Sequence, residues 1–134
     1  MAKSNRVRII GGVWRSRLLA FPDVPGLRPT PDRVRETLFN WLGQTMEGKI
    51  CLDLFSGSGA LGFEALSRGA RRVVMVERDA KVAQALRTNA ANLGAENCEL
   101  VTVDALKLLE RETRRFDVIF VDPPYDSHLL PRVL

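Results

Sequence analysis

The segment from Ile50 to Ala70 constrains the fold of this chain more than any other part of it. It opens with a short, mostly apolar run, Ile50 to Phe55, which is typical of a buried strand in a parallel sheet. A turn with the pattern G-x-G-x-x-G follows from Gly57 to Gly62, and apolar residues at helical spacing come next. Strand, glycine turn and helix in this order predict a site for a nucleotide-like ligand, because glycine permits close approach and a helix start offers unpaired N–H groups.

Asp53 makes this prediction more specific, because it lies inside the end of the strand, four residues before Gly57. A dinucleotide-binding fold usually runs directly from an apolar strand into the glycines. A carboxylate at this point suits a ligand that carries an ammonium group. Two other interpretations stay open at this stage, namely a chance match to the glycine pattern and a solvated aspartate at a strand end.

A second strand is predicted from Arg72 to Val76, and Glu77 follows it, twenty residues after Gly57. In nucleotide-binding folds a carboxylate at about this offset commonly binds the ribose hydroxyls. The next segment, Ala80 to Leu93, has apolar residues on one helical face, and Gly94 is suited to end that helix. The sequence therefore predicts that Glu77 faces a ribose.

Two further predicted strands each end at an aspartate. Glu99 to Val103 precedes Asp104, and Phe116 to Val121 precedes Asp122, with a charged helix predicted between them from Leu106 to Arg115. The repeated βα order predicts an α/β fold with a doubly wound parallel sheet, whose ligands gather at the carboxyl ends of the strands. Carboxylates at four successive strand ends are a more specific signal than the glycines alone; they are Asp53, Glu77, Asp104 and Asp122.

Length and composition limit the class of protein. A chain of 134 residues, 46% hydrophobic and 27% charged, predicts one globular domain. No apolar run is long enough to span a membrane, and the N-terminus lacks the hydrophobic core of a signal peptide. Two cysteines cannot form a disulfide framework, and Cys51 is expected to be a small buried apolar residue. These features predict a cytoplasmic protein, and the sequence contains no visible metal-ligand set.

The N-terminal part of the chain is strongly basic. Residues 1–35 contain eight Lys or Arg and two Asp, whereas the whole chain has a net charge of +4. A basic arm on a near-neutral body indicates a phosphate-bearing polymer as partner. The β-prone runs Arg6 to Ile10 and Val13 to Phe21 flank Gly11-Gly12 and predict a hairpin with a two-residue turn. A hairpin whose charges only prevent edge-to-edge aggregation is the alternative.

A proline-rich connector, Pro22 to Pro29, leads to a predicted helix. Thr30 is expected to be its N-cap and Pro31 its first residue, since proline is favoured at that position. The predicted apolar stripe of this helix consists of Val34, Leu38, Trp41 and Leu42.

Together these motifs resemble the S-adenosylmethionine-dependent methyltransferases that act on exocyclic amino groups. The N-terminal Arg8-Ile-Ile-Gly-Gly and the stretch from Arg28 to Leu42 narrow the resemblance to the RsmD family, whose members methylate N2 of a guanine in bacterial small-subunit rRNA. The resemblance covers nearly the whole chain. It rests on Asp53-Leu-Phe-Ser-Gly-Ser-Gly, Glu77, Asp104 and Asp122-Pro-Pro-Tyr125.

The resemblance implies that the cofactor is S-adenosylmethionine. Asp53 is then expected to lie near the methionine part and to hold its ammonium group directly or through water. Glu77 would bind both ribose hydroxyls, and Asp104 would accept a hydrogen bond from the adenine amino group, with Arg78 and Ala105 beside the ring. The implied cofactor-binding residues are Asp53, Phe55, Gly57, Gly59, Glu77, Arg78, Asp104 and Ala105.

The Asp122-Pro-Pro-Tyr125 turn has a physical interpretation of its own. The N2 lone pair of guanine is delocalised and is a poor nucleophile. Asp122 can accept one N–H of this amino group and the carbonyl of Pro123 the other, which aims the lone pair at the methyl carbon. Tyr125 can stack on a base that has left its helix. The predicted catalytic residues are therefore Asp122, Pro123 and Tyr125, although a plain turn after a strand is the alternative.

Three functions remain open from the sequence. The first is an rRNA guanine-N2 methyltransferase, acting on 16S rRNA within small ribosomal subunit particles and monomeric at full length. The second is a methyltransferase of another planar amino group, such as DNA adenine or protein glutamine. The third is a non-catalytic RNA-binding domain. The basic hairpin favours the first, and the predicted RNA-binding residues are Arg6, Arg8, Arg15, Arg17, Arg28 and Arg33.

The domain organisation is predicted as a basic hairpin and connector over residues 1–29, followed by a methyltransferase domain over residues 30–134. The family implies a seven-stranded sheet, of which this chain accounts for four strands. We therefore expect a fragment of a longer enzyme, with an open hydrophobic edge at the fourth strand. Such a fragment would associate or pack loosely and be inactive by itself, even if it bound the cofactor weakly.

Overall fold

The structure, a computed structural model, describes residues 5–123 and contains ten helices and strands in that range. Two short strands precede the first helix, and strands then alternate with helices. In chain order the elements are β1 (Asn5–Arg8), β2 (Leu18–Phe21), α1 (Asp32–Trp41), β3 (Ile50–Asp53), α2 (Ala60–Ser67), β4 (Arg72–Val76), α3 (Ala80–Leu93), β5 (Cys98–Val101), α4 (Ala105–Arg111) and β6 (Val118–Phe120).

Strands β3 to β6 form one parallel sheet with the order β5-β4-β3-β6. Strand β3 is central, because it pairs with β4 on one side and with β6 on the other. Successive residues of each strand point to opposite faces, so each face carries its own apolar cluster. Cys51, Val73 and Met75 pack with α2 and the hairpin, whereas Leu52 and Val74 pack with α4. The predicted doubly wound α/β sheet is confirmed for these four strands.

The limits of the predicted elements are confirmed best where a strong local signal marks them. Strand β4 and helix α3 have the predicted bounds; the carboxylate of Asp79 caps α3 and Gly94, with φ of 70°, ends it. The charged helix ends at Arg111, four residues earlier than predicted. The following segment is a loop in which the guanidinium of Arg114 pairs with Glu99 and Glu112. The strands predicted at residues 99–103 and 116–121 are Cys98–Val101 and Val118–Phe120.

Strand β6 lies at the edge of the described sheet. Within residues 5–123 it is hydrogen-bonded to β3 alone, and the side chain of Ile119 is 49% exposed. The expectation that further strands cover this edge stays a prediction. Within the same residues the longest helix, α3, has 14 residues, and none is long and apolar enough to cross a membrane.

The N-terminal hairpin is confirmed, but its predicted two-residue turn is wrong. Strands β1 and β2 pair antiparallel from Asn5 with Phe21 to Arg8 with Leu18, and residues 9–17 form a longer loop. Gly11 and Gly12 lie against the end of α2 instead. A Cβ on Gly12, whose φ is +80°, would lie 1.9 Å from the carbonyl oxygen of Ser67. The two glycines therefore permit close packing of the loop on a helix.

Two predictions about the first helix are also wrong. Helix α1 begins at Asp32, Pro31 is its N-cap residue, and no side chain caps it. Half of the predicted stripe is wrong: Leu38 and Leu42 pack against the core, but Val34 and Trp41 are 52% and 82% exposed, whereas Arg35 and Phe39 are fully buried. A charged residue was not expected in the core. The reason for this rotation is the buried partner of Arg35 on α2.

That partner is Glu64, a fully buried carboxylate that receives four hydrogen bonds. Its Oε1 accepts from the backbone N–H of Ile10 (2.9 Å) and from Arg35 Nη1 (3.1 Å). Its Oε2 accepts from the N–H of Gly11 (2.9 Å) and from Arg68 Nε (2.9 Å). Burial of a charge is tolerated when it is paired and fully hydrogen-bonded. The Glu64 cluster, defined as these five residues, joins the hairpin loop, α1 and α2.

We expect Arg35→Ala to lower the free energy of unfolding by about 3–5 kcal/mol, because it leaves part of a buried ion pair without its partner. Urea denaturation followed by circular dichroism would measure this. The matched control is Arg33→Ala on the same helix, where the side chain is exposed and the change should be within about 0.5 kcal/mol. Equal effects of the two substitutions would contradict the structural role of the Glu64 cluster.

Candidate functional site

One cavity of about 580 Å³ lies at the carboxyl ends of the four parallel strands. The segments that follow β3, β4, β5 and β6 form one side of it, as expected for a ligand site in a doubly wound sheet. The connector before α1 also lines it. The lining segments are Val24–Pro31, Leu54–Ser58, Val76–Asp79, Val103–Leu106 and Asp122–Pro123, together with Val34, Ala60, Leu61 and Val82.

Most of the residues predicted to bind the cofactor line this cavity. They belong to the loops after β3, β4 and β5, and the predicted catalytic residues Asp122 and Pro123 come from the segment after β6. Asp53 and Gly59 are absent from the lining, and Tyr125 lies outside the described residues. The predicted residues that do line the cavity are Phe55, Gly57, Glu77, Arg78, Asp104, Ala105, Asp122, Pro123 and, from the RNA-binding set, Arg28.

Glu77 connects the glycine turn to the start of α3. The N–H of Gly57 donates to its Oε1 (3.1 Å), and the N–H of Asp79 donates to its Oε2 (3.0 Å). Each carboxylate oxygen can accept more than one hydrogen bond, so both keep capacity toward the cavity. The geometry is compatible with the predicted pair of ribose hydroxyls.

Asp53 lies behind the glycine turn and is buried. Its Oδ2 accepts a hydrogen bond from the N–H of Gly62 (3.1 Å), and its Oδ1 has no hydrogen-bond partner among residues 5–123. A Cβ on Gly62 would lie 2.4 Å from Met75 Cε, so the third glycine of the pattern lets α2 approach the sheet. Burial raises the pKa of the Asp53 carboxyl to about 7, and the nearby charges of Asp122 and Glu77 act in the same direction.

Asp104 and Arg78 lie at the side of the cavity formed by β4 and β5. The Oδ1 atom of Asp104 accepts from the N–H of Leu106 (2.9 Å) and caps α4. Its Oδ2 is 3.9 Å from Nη1 of Arg78, whose side chain is largely exposed. An exposed ion pair of this length contributes little to stability, so the arginine can move toward a ligand at low energetic cost.

Asp122 is exposed and lines the cavity where β6 ends. The hydroxyl of Thr30 donates a hydrogen bond to its Oδ2 (2.8 Å). Sequence reasoning missed Thr30 as a site residue, because it was assigned to a helix cap. No local signal could have found this contact, since the two residues are 92 positions apart in the chain.

The predicted RNA-binding arginines occupy several surfaces. Arg6 and Arg8 are exposed on the outer face of β1, and Arg15 is exposed in the hairpin loop. Arg17 is exposed as well, and its Nη2 donates to the carbonyl of Asn92 (3.0 Å). Arg33 is exposed on α1, whereas Arg28 lies at the cavity. Among the described residues no group of three or more His, Cys, Asp and Glu could hold a metal ion.

The comparison with known proteins agrees with the resemblance found in the sequence. Residues 7–134 match the family described as conserved hypothetical protein 95. The ribosomal RNA small subunit methyltransferase D of Escherichia coli is 50% identical over 131 residues, which are 98% of this chain and 66% of that protein. The chain belongs to the RsmD family.

A second relative and a solved structure support this assignment. The protein of the same name from Haemophilus influenzae is 46% identical over 134 residues, covering 97% of this chain and 69% of that protein. The solved structure of the Escherichia coli protein yhhF superposes with a TM-score of 0.83 at 50% identity, over 95% of this chain and 70% of that chain. The chain thus spans about two thirds of the length of its relatives.

The pKa of Asp53 generates a prediction about stability. A carboxyl whose pKa is raised to about 7 binds its proton more tightly in the folded state than in the unfolded state, where the pKa is near 4. The free energy of unfolding should therefore fall as the pH rises from about 4 to about 7. Asp53→Asn removes the ionisable carboxyl, and with it this pH dependence, while keeping an acceptor for the N–H of Gly62.

Urea denaturation of both proteins at pH 5 and pH 8 would test this. The stability of Asp53→Asn relative to the original chain should rise between the two pH values by about 2.5–3 kcal/mol, because about two pH units separate pH 5 from the folded-state pKa of about 7. A pH-independent difference would show that the carboxyl ionises normally. Glu47→Gln, an exposed substitution, is the control.

Proposed function

We propose that the protein carrying this sequence transfers a methyl group from S-adenosylmethionine to the exocyclic N2 of a guanine in bacterial small-subunit rRNA. The observation that carries the proposal is the meeting of the glycine turn, Glu77, Asp104 and Asp122 at one cavity. The names of the relatives, ribosomal RNA small subunit methyltransferase D, support the substrate class.

The residues around the cavity fit this cofactor. A volume of about 580 Å³ lies within the usual range for small-molecule sites. The carboxylate of Glu77 lines the cavity and the buried carboxyl of Asp53 lies behind the glycine turn, which suits a ligand with an ammonium and a sulfonium group. In this proposal Gly57 and Gly59 lie near the methionine part, Glu77 binds the ribose hydroxyls, and Asp104 accepts from the adenine amino group.

Phe55, Arg78 and Ala105 would complete the walls of the cofactor site, with the last two beside the adenine ring. Asp53 would act from behind the glycine turn. Because its side chain does not line the cavity, Asp53 would contact the ammonium group through water. Alternatively, it would act indirectly, by holding the N–H of Gly62 and so the position of the glycine turn.

Bound S-adenosylmethionine would supply an electrophilic methyl group. Asp122 and the carbonyl of Pro123 would accept the two N–H groups of the guanine amino group and orient its lone pair. The N–C bond would form as the C–S bond broke, the sulfur would keep the bonding electron pair, and the methylated nitrogen would release one proton to water. Alignment supplies much of the acceleration in such an in-line transfer. Tyr125 would stack on the base.

The basic hairpin favours RNA over DNA adenine or a protein amide as acceptor. Arg6 and Arg8 on β1 and Arg15 in the hairpin loop are exposed and can contact phosphates, and Arg17 is exposed beside the carbonyl of Asn92. The natural substrate would be the small ribosomal subunit or its rRNA, encountered in the cytoplasm by a monomeric enzyme.

The decisive experiment uses the full-length protein carrying this sequence and S-adenosylmethionine with a labelled methyl group. Small ribosomal subunit particles, naked 16S rRNA, DNA and ribosomal proteins are offered separately, and the labelled product is digested and identified. N2-methylguanosine from rRNA is expected. Label in adenine or in a protein amide would contradict the proposal and support a methyltransferase of another planar amino group. The Escherichia coli relative serves as the positive control.

Substitutions of Glu77 and Asp122 should separate cofactor binding from chemistry, and each is the control for the other. Glu77→Ala is expected to weaken S-adenosylmethionine binding by roughly 1.5–3 kcal/mol, the scale of lost charged hydrogen bonds. Asp122→Ala should leave this affinity nearly unchanged and lower the single-turnover rate by about 10² or more. Calorimetry and single-turnover assays measure the two effects.

Unchanged calorimetric affinity in a folded Glu77→Ala protein would exclude the ribose role. A near-normal rate in Asp122→Ala would exclude this residue as the aligning acceptor. Because Glu77 also holds the N–H of Gly57, the folding of that variant is checked by thermal unfolding.

The RNA-binding role of the hairpin predicts a change in salt dependence. Replacing Arg6, Arg8, Arg15 and Arg17 by Gln should lower RNA affinity and reduce the slope of log K against log salt by about 0.7–0.9 for each lost phosphate contact. Filter binding at several salt concentrations measures the slope. The matched control replaces four exposed cations on other surfaces; they are Lys81, Lys107, Arg111 and Arg115. An unchanged slope in the hairpin variant would show that these arginines do not contact phosphates. Their charges would then only prevent edge-to-edge aggregation.

A further inference from the structure

We propose that Thr30 is a positioning residue that orients the carboxylate of Asp122 for methyl transfer. This inference rests on the function proposed above. The hydroxyl of Thr30 donates to Oδ2 of Asp122 at 2.8 Å, and both residues line the same cavity. A hydrogen bond to an ionised acceptor is shorter and stronger than one between neutral groups.

The backbone of Thr30 is itself firmly held. Its carbonyl oxygen accepts from Nε of Arg35 (3.1 Å), and Arg35 is fully buried. The same guanidinium donates to Glu64 (3.1 Å) and to the carbonyl of Arg8 (2.8 Å), and it pairs with Asp32. Its orientation is therefore fixed from several sides. Because the backbone of Thr30 is held by this guanidinium, its hydroxyl in turn restricts the orientation of the Asp122 carboxylate.

The neighbours of Thr30 add to its rigidity. Pro29 and Pro31 flank it, so the φ angles on both sides are restricted by the pyrrolidine rings. A residue before proline is also confined to extended conformations, and this applies to Thr30. The donor thus reaches Asp122 from a backbone with few alternative conformations, which is the property that a preorganised site needs.

The consequence for Asp122 follows from its exposure. An exposed aspartate at the end of a strand can rotate about its side-chain bonds, and each orientation points its oxygens differently. The bond from Thr30 occupies Oδ2 and leaves Oδ1 to accept an N–H from the amino group of the substrate. As the N–C bond forms and the C–S bond breaks, the acceptor is already in place and little reorganisation is required.

The test compares Thr30→Val with Thr30→Ser in the full-length protein carrying this sequence. Valine has nearly the shape of threonine but no hydroxyl, whereas serine keeps the hydroxyl. With small ribosomal subunits as substrate, kcat should fall about 10-fold or more in Thr30→Val, with KM changed by less than about twofold. Thr30→Ser should retain kcat within about threefold.

Calorimetry with S-adenosylmethionine verifies that the cofactor site of each variant is folded. A normal kcat in Thr30→Val would overturn the inference while leaving the proposed function intact. An equal loss of kcat in both variants would assign Thr30 a packing role and would also overturn it. If the unsubstituted protein formed no methylated guanine, the proposed function would fail, and the inference would fail with it.

Discussion

The buried carboxylate of Glu64 is the interaction on which the arrangement of this molecule depends. It stands on α2 directly after the glycine turn and receives two backbone N–H groups and two guanidinium groups. A buried charge must be compensated on every side, so its four donors are required to be close to it. They come from the hairpin loop, from α1 and from α2 itself. Arg68 also lies over the ring of Phe39, which ties the cluster to the apolar core.

This cluster explains why the N-terminal segment forms part of the site. The connector from Pro22 to Pro29 runs from the hairpin toward α1, and the Glu64 cluster fixes both of these elements. Between them the connector lies at the carboxyl edge of the sheet, where it lines the cavity together with the strand ends. The basic segment of the sequence and the nucleotide-like motif are thus parts of one site, in which Thr30 contacts Asp122.

The carboxylates at the strand ends have different environments, and this difference separates their possible roles. Asp53 is buried, so its pKa is raised and its negative charge is disfavoured until a cation approaches. Glu77 uses both oxygens to hold backbone N–H groups, which fixes its position at the cavity. Asp122 is exposed, and its carboxylate accepts a hydrogen bond from the hydroxyl of Thr30 in the connector before α1. Of the four carboxylates at strand ends, Asp53 is therefore buried, Glu77 and Asp104 are anchored by backbone N–H groups, and Asp122 is held by the hydroxyl of Thr30.

The sequence by itself determined the parallel sheet, the bounds of β4 and α3, and the meeting of the glycine turn with Glu77, Asp104 and Asp122. These follow from local signals, because strand ends in a βα repeat must lie at one edge of the sheet. Tertiary structure decided the role of Gly11-Gly12, the rotation of α1 and the partner of Thr30. In each case a contact with a distant residue outweighed a local preference. Ser67 outweighed the tight turn at Gly11-Gly12, and Glu64 outweighed the apolar stripe of α1. Asp122 took the hydroxyl of Thr30 from its expected role as a helix cap. Such contacts leave no periodic pattern in the sequence, because their partners are brought together only when the hairpin folds back onto the sheet.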